Sequence, residues 1–211
     1  MIKISEIFSS IQGEQQGLGT PSIFVRLAGC SVKCDFCDSS FSWKEDKLNC
    51  HTEEELIHIL GSYSGRNIII TGGEPLEQNI KKLCELLLNN GYSISLETNG
   101  KVFINMPSDW FKHINVSPKG KYDERYEKLD NVIFKFVIET EDDIRNIDAE
   151  FKNKLQYSKI FLMPKTITGN EFEVKEDYIK KAKQVWDWCK QWGYNFCPRE
   201  HILLFGLKRG M

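Results

Sequence analysis

The sequence predicts an α/β fold with a mostly parallel sheet. Apolar, β-branched runs alternate along the chain with segments of helical period, as they do in βαβ units. The 211 residues are enough to bury a core. With 41% hydrophobic and 27% charged residues, the composition fits neither a disordered chain nor a membrane protein. No run approaches the roughly 18 apolar residues that a membrane-spanning helix needs.

Strands and helices are predicted in alternation. The strands are short apolar runs at residues 22–28, 67–71, 92–98, 113–116, 132–138 and 159–163. The helices carry apolar residues on one face and lie at 52–60, at 77–90, after Thr140 and at 174–192. Thr52 and Glu55 have the spacing of a capping box, and Gly91 ends the second helix. In such a sheet, functional groups gather at the carboxyl ends of the strands.

Length, charge and cysteine content limit the classes of protein to which this chain can belong. The length predicts one domain over residues 1–211 in preference to two small ones. The net charge of −2 argues against a nucleic-acid binder, because neutralising phosphates requires an excess of basic residues. The N-terminus lacks the apolar stretch of a signal peptide, and seven cysteines cannot all pair within one chain. We therefore expect a cytoplasmic protein in a reducing compartment, without contact to a membrane.

The sharpest motif is a loop of three cysteines directly after the first predicted strand. Cys30, Cys34 and Cys37 are separated by three and then two residues. A short loop of this kind can wrap several thiolates around one inorganic core. A cubane of four irons normally takes four thiolates, so three would leave one iron open to a small molecule.

Two other interpretations of this loop remain open. Three thiolates would leave a tetrahedral zinc site incomplete, and zinc signatures usually contain a second C-x-x-C unit, which this chain lacks. The three residues could also be core cysteines that lie close together, although Ser31, Lys33 and Asp35 interrupt any core pattern. Cys84 and Cys189 lie on apolar helix faces, and for them we expect a core position.

Short segments with polar residues follow the next three strands. Residues 72–75 read Gly-Gly-Glu-Pro, residues 97–100 read Glu-Thr-Asn-Gly, and residues 117–119 read Ser-Pro-Lys. Each could be a plain turn. Together they deliver polar groups to one sheet edge, where the glycines permit close backbone approach, Glu74 offers an acceptor and Lys119 can pair with a carboxylate.

The cysteine loop and the Gly-Gly-Glu-Pro turn resemble the motifs of the radical S-adenosylmethionine superfamily. Segments 6–8, 11–14, 24–30, 37–39 with Trp43, and 201–206 are similar to the 7-carboxy-7-deazaguanine synthases of queuosine biosynthesis. The resemblance covers nearly the whole chain. A full eight-unit barrel usually needs about 250 residues, so the expected fold is an incomplete (β/α)6-type TIM barrel, with about six parallel strands around the cluster.

The resemblance implies a carbon–nitrogen lyase with a 4Fe-4S cluster, S-adenosylmethionine and Mg²⁺. The substrate would be 6-carboxy-5,6,7,8-tetrahydropterin, and the products 7-carboxy-7-deazaguanine and ammonia. A radical derived from S-adenosylmethionine would take a hydrogen atom from carbon 6, after which the ring contracts. The protein's part is placement and the exclusion of water. The resemblance also implies a flavodoxin or ferredoxin as reductant and a homodimer.

The resemblance assigns roles residue by residue. Cys30, Cys34 and Cys37 would bind the cluster, and the Ser39 hydroxyl would ligate Mg²⁺ in a position that is usually threonine. Residues expected to bind S-adenosylmethionine are Phe36, Cys37, Asp38, Gly72, Gly73, Glu74, Glu97, Asn99, Ser117, Pro118, Lys119, Met163, Pro164, Lys165 and Thr166. Residues expected to bind the substrate are Ile11, Gln12, Gly13, Glu14, Arg26, Thr71 and His201. Arg26 suits the substrate carboxylate, and Glu14 suits the N–H edge of the pterin.

The chain departs from some family members in the residues that follow His201. In some family members the chain stops soon after the histidine and its terminal carboxylate reaches the substrate, whereas here residues 207–211 follow.

One alternative function is that of an activase that makes glycyl radicals on a partner protein. It would share the cysteine loop but would need neither Mg²⁺ nor a pterin. A zinc-binding module without enzymatic activity is the other alternative. Neither accounts for Gln12-Gly13-Glu14, Arg26, Ser39 and His201 together.

Overall fold

The computed structural model describes residues 1–44, 49–166 and 171–211, except the side chain of residue 171. The strands in these ranges are β1 (Ile2–Ile11), β2 (Pro21–Leu27), β3 (Cys50–His51), β4 (Asn67–Gly72), β5 (Ser93–Thr98), β6 (Phe111–Val116), β7 (Val132–Ile138), β8 (Ile160–Pro164) and β9 (Asn195–Phe196). The helices are α1 (Glu53–Leu60), α2 (Lys81–Asn89), α3 (Glu141–Phe151), α4 (Glu171–Trp192) and α5 (Glu200–Phe205).

Within the described ranges the strands form one open sheet in the order β3-β1-β2-β4-β5-β6-β7-β8-β9. Every pairing from β2 to β9 is parallel, whereas β1 pairs antiparallel with both β2 and β3. The predicted α/β class and mostly parallel sheet are confirmed. The sheet is not closed, in keeping with the expected incomplete barrel.

The six predicted strands are present, and their ends agree to within two residues. About six parallel strands are predicted, and the described ranges contain seven, because β9 also pairs in parallel, with β8. Its two residues are too few to show a period. The strand β1 was not predicted either, because Glu6, Ser9 and Ser10 break its apolar alternation. None of the helices described has the length and apolar character required to cross a membrane.

The helix predicted at 77–90 begins later, at Lys81. The Gln78 side chain is the physical reason. Its amide nitrogen donates to the carbonyls of Lys3 and Ala28, both at 3.0 Å, and its amide oxygen accepts from the Lys3 N–H at 2.8 Å. These bonds hold residue 78 in an extended conformation after a short 3-10 turn at Pro75–Glu77. The turn that follows β4 is thereby fixed against β1 and β2.

The core lies between the sheet and its helices. Central strands are buried on both faces, which explains their continuous apolar runs. The predicted capping box of α1 is present, because Thr52 and Glu55 each accept a hydrogen bond from the other's backbone N–H. Cys84 and Cys189 are buried, as expected for core cysteines. With the backbone fixed in this way, the carboxyl ends of β4–β8 open onto one side of the sheet.

Candidate active site

A cavity of about 260 Å³ opens where the parallel strands end. The predicted residues that line it are Ile11, Gln12, Gly13, Glu14, Arg26, Cys30, Cys34, Phe36, Cys37, Asp38, Ser39, Thr71, Gly72, Gly73, Glu97, Asn99, Ser117, Lys119, Met163, Thr166 and His201. Four predicted residues are not part of this lining, namely Glu74, Pro118, Pro164 and Lys165. The sheet therefore brings most of the predicted site residues, distant in sequence, to a single cavity.

The three loop cysteines are half-buried and line the cavity as free thiols. Burial raises the pKa of the Cys34 thiol, and the Lys119 ammonium opposes that effect. No three metal-ligating side chains converge on a single ion in the ranges that the structure describes. A cubane needs no such convergence, because each thiolate binds a separate iron. The donor set therefore fits a cluster held by three thiolates.

The Gly-Gly-Glu-Pro turn packs directly on the start of the cysteine loop. The Gly73 N–H donates to the Leu27 carbonyl at 2.9 Å, and the Glu74 N–H donates to the Gly29 carbonyl at 2.8 Å. A Cβ atom at Gly73 would overlap the carbonyl oxygen of Gly29. The glycine is thus required by the approach of two protein backbones, in addition to any approach of a ligand.

Glu74 is buried beneath this turn. Its carboxylate accepts from the Thr98 hydroxyl and the Asn99 N–H, both at 2.7 Å, and from the Leu76 N–H at 3.1 Å. Burial raises the pKa of Glu74, although these donors oppose the effect. The carboxylate ties the turn to the end of β5, and its contact with S-adenosylmethionine stays a prediction.

Glu14 is the centre of a buried group of charges. Its carboxylate accepts from the Lys135 ammonium at 2.6 Å and from the Arg199 guanidinium at 3.1 Å, and the His201 Nε2 atom lies 3.9 Å away. Burial alone would raise the pKa of Glu14, but Lys135 and Arg199 outweigh it and hold the pKa well below its ordinary value. Glu14 is therefore anionic and acts only as an acceptor.

Lys135 was not predicted as a site residue. Its ammonium bridges Glu14 and, at 3.3 Å, Glu97, whose carboxylate also accepts from Gln15 at 2.8 Å and Asn115 at 2.9 Å. Burial lowers the pKa of Lys135, but the two carboxylates more than compensate and raise it. A single charge within the apolar run of β7 is the sequence signal that could have identified this residue.

Arg199 was also missed, and no sequence pattern marks it. It is 3% exposed and lines the cavity just before α5. Its guanidinium contacts Glu14, Asp38 and Thr166. One buried cation thus connects the segment before α5, the end of the cysteine loop and the segment after β8.

Arg26 lines the cavity beside Ser39. Its Nε donates to Glu6 at 2.8 Å, and one terminal nitrogen donates to the Ser39 hydroxyl at 3.2 Å. The Ser39 hydroxyl itself donates to Asp38 at 2.8 Å. The expected carboxylate-binding residue and the expected magnesium ligand are therefore direct neighbours.

Phe36 and Lys119 form another part of the cavity wall. The Lys119 ammonium lies 5.2 Å from the Phe36 ring centroid and donates to the Ser117 hydroxyl at 3.1 Å. The Lys165 ammonium lies 5.6 Å from the same ring and bonds to Glu139 at 2.7 Å. Burial lowers the pKa of Lys119 to about 8. This wall offers an aromatic face and a buried amine to a ligand.

The end of the chain returns to the cavity. The Glu200 N–H donates to the Gly13 carbonyl at 3.0 Å, and a Cβ atom at Gly13 would lie only 2.9 Å from the His201 ring. Burial lowers the pKa of His201, which favours the neutral imidazole. Residues 207–211 do not lead the chain away from the site, because Met211 lines the cavity.

Known proteins resemble this chain in sequence and in fold. The family model described as the radical SAM superfamily matches residues 24–137. A protein of Hyperthermus butylicus named 7-carboxy-7-deazaguanine synthase is 32% identical over 97% of this chain and 93% of its own length. A protein of Aquifex aeolicus with the same name is 34% identical over 90% of this chain and 88% of its own.

Among solved structures, QueE from Escherichia coli superposes with a TM-score of 0.70 at 24% identity. The match covers 93% of this chain and 92% of that chain. At this identity the superposition supports the fold alone.

Replacing Lys135 with methionine leaves the partly buried carboxylates of Glu14 and Glu97 without their shared cation. We expect Lys135→Met to lower the free energy of unfolding by about 3–5 kcal/mol, the usual result of removing one partner of a buried pair. This loss in the free energy of unfolding should become smaller as the pH falls, because protonating a carboxylate removes the unpaired charge. Urea denaturation at several pH values measures this. Lys112→Met, on the exposed side of β6, is the matched control, and equal losses from both variants would contradict the assignment.

Proposed function

Because the chain belongs to the 7-carboxy-7-deazaguanine synthase family of the radical SAM superfamily, we propose that it converts 6-carboxy-5,6,7,8-tetrahydropterin to 7-carboxy-7-deazaguanine and ammonia. The observation that carries this proposal is the location of Glu14, Arg26 and the three loop thiols in one cavity. An anionic acceptor, a guanidinium and a cluster-binding loop are the groups that a carboxylated pterin and a radical cofactor require.

Glu14 and Arg26 would bind opposite ends of the substrate. The 2-amino group and the ring N–H of a pterin are donors, and Glu14 is an acceptor that two cations keep ionised. Arg26 presents a planar fork of the kind that binds carboxylates through two parallel bonds. Thr71, His201 and the backbone of residues 11–13 line the same side and would complete the substrate site.

Cys30, Cys34 and Cys37 would bind the 4Fe-4S cluster, and the neighbouring polar groups would bind S-adenosylmethionine. When bound, the cluster and S-adenosylmethionine supply the one-electron chemistry that starts the reaction. Phe36 and Lys119 offer a ring face and an amine, while Glu97, Asn99 and Ser117 offer hydrogen-bonding groups at the ends of β5 and β6. The residues of this chain then have to hold both ligands in fixed positions and exclude water.

The proposal also covers the domain organisation, the compartment and the reductant. We propose that residues 1–211 act as one domain in the cytoplasm and accept electrons from a flavodoxin or ferredoxin. Cys30, Cys34, Cys37, Cys84, Cys189 and Cys197 are free thiols, which suits a reducing compartment.

The most direct test uses protein reconstituted with iron and sulfide without oxygen. With dithionite, S-adenosylmethionine, Mg²⁺ and the carboxylated tetrahydropterin, mass spectrometry should detect 7-carboxy-7-deazaguanine. Glu14→Gln and Arg26→Lys should retain the cluster absorbance but lose most of the product, because they remove the anionic carboxylate and the planar fork. Cleavage of S-adenosylmethionine without any deazaguanine from the unmodified protein would favour an activase instead.

Ser39 is the proposed protein ligand of Mg²⁺. Its hydroxyl lines the cavity beside the Asp38 carboxylate, and these oxygens are ligands that Mg²⁺ accepts. Arg26 and Arg199 lie on either side of this pair and repel a cation. We therefore propose that Mg²⁺ binds firmly only when the anionic substrate is present.

Removing this hydroxyl should separate the magnesium effect from the cluster. Ser39→Ala is expected to lower turnover and its dependence on Mg²⁺ while the cluster absorbance stays intact, whereas Ser39→Thr should retain both. Turnover is measured against Mg²⁺ concentration at saturating substrate. An unchanged magnesium response in the alanine variant would refute the role of the hydroxyl.

The homodimer is proposed to form through α4. Phe172, Ile179 and Trp186 recur every seven residues on this helix and are 69%, 41% and 53% exposed. Before Ile179 the helix has four acidic residues and one lysine, and after Ile179 it has four lysines and one acidic residue. An antiparallel pair of α4 helices centred on Ile179 would set Phe172 of one copy beside Trp186 of the other. The acidic half of each helix would then face the basic half of its partner.

A charge in the middle of this stripe should break the dimer. We expect Ile179→Glu to be monomeric in sedimentation velocity at concentrations at which the unmodified chain is dimeric, because two carboxylates would be buried together. Gln184→Glu adds the same charge at an exposed position off the stripe and should remain dimeric. A dimeric Ile179→Glu variant, or a monomeric unmodified chain, would contradict the proposed interface.

A further inference from the structure

One carboxylate on β1 binds two guanidiniums at the rim of the cavity. The Glu6 Oε1 atom accepts from the Arg26 Nε at 2.8 Å, and its Oε2 atom lies 3.3 Å from a terminal nitrogen of Arg209. Glu6 is 16% exposed and therefore little screened by water, whereas Arg209 is 56% exposed. Glu6 thus connects a cavity-lining arginine with the last residues of the chain.

The Phe41 ring lies against both guanidiniums. The Arg209 Cζ atom is 3.7 Å from the ring centroid, and the Arg26 Cζ atom is 5.7 Å from it. Phe41 belongs to the short 3-10 turn at Ser40–Trp43, directly after Ser39. A cation over an aromatic face is attracted to it, and a planar guanidinium can also stack there. Arg209 therefore has two partners, which compensates for the weakness of an exposed ion pair alone.

These contacts determine which part of Arg26 is available to a ligand. Its Nε is used by Glu6, and one terminal nitrogen donates to Ser39. Among the described residues, the other terminal nitrogen has no hydrogen-bond partner. The end of the guanidinium fork is the part that binds a carboxylate through two parallel bonds. With Glu6 on its Nε side, Arg26 can present that end to the cavity.

We propose that Glu6, Phe41 and Arg209 form a clamp that orients Arg26 towards the substrate carboxylate and holds residues 206–211 at the cavity. The three are positioning residues, since the clamp acts through Arg26 and through the segment that ends at Met211. The proposal rests on the proposed function, because it assigns the carboxylate of the pterin to Arg26.

The clamp predicts a selective loss of substrate binding. In Glu6→Gln and Arg209→Ala, the KM for the carboxylated tetrahydropterin should rise about tenfold, the usual effect of losing a charge-assisted bond. The KM for S-adenosylmethionine should not change. Tetrahydropterin without the 6-carboxyl group, used as a competitive inhibitor, should bind the unmodified chain and both variants equally, because it makes no contact with Arg26. Lys208→Ala removes the same charge from the neighbouring exposed residue and should leave all three constants unchanged.

A second measurement does not depend on activity. Hydrogen exchange of the backbone amides of residues 207–211 should accelerate in Arg209→Ala and Glu6→Gln relative to Lys208→Ala. In the double variant of Glu6→Gln and Arg209→Ala, the rise in KM should not exceed that of the stronger single variant, because both changes disrupt the same clamp.

The outcomes separate the clamp from the proposed function. If the unmodified chain forms deazaguanine but the KM for the carboxylated substrate is unchanged in both variants, the clamp is refuted. The clamp is also refuted if the exchange of residues 207–211 is equal in Arg209→Ala and Lys208→Ala, whatever the activity. If the unmodified chain forms no deazaguanine, the proposed function fails, and with it the role of the clamp in substrate binding.

Discussion

The buried ion pairs of Glu14 with Lys135 and Arg199 are the constraint on which the rest of the site depends. Charges removed from water are costly unless they are paired. Each partner comes from a different part of the chain, and Arg199 also reaches Asp38 of the cysteine loop. The pairing can be satisfied only when the end of β1, the strand β7 and the segment before α5 meet at one cavity.

A second constraint is the close approach of two backbones at Gly73 and Gly29. It locks the turn after β4 to the start of the cysteine loop, and Glu74 extends the connection to the end of β5. The cysteine loop and this turn therefore line the same cavity as Glu14 and Arg26. Arg26 donates a hydrogen bond there to the Ser39 hydroxyl.

Much of the fold and part of the site could be predicted from the sequence, for physical reasons. The strands β4 and β7 are buried on both faces and therefore read as plain apolar runs. The spacing of Cys30, Cys34 and Cys37 is local and visible in one loop. By contrast, β9 is too short to have a period, and the start of α2 depends on bonds from Gln78 to distant backbone. The role of Arg199 depends on the carboxylates that the fold places around it. No local sequence pattern predicts those contacts.

Glu14 is proposed to remain an ionised acceptor inside the cavity when both ligands are bound. A crystal structure with S-adenosylmethionine and the carboxylated tetrahydropterin tests it most directly. We expect a Glu14 carboxylate oxygen about 3 Å from the N–H edge of the pterin, with Lys135 and Arg199 still in place. A pterin whose N–H edge faces other residues, or a Glu14 side chain turned out of the cavity, would contradict it.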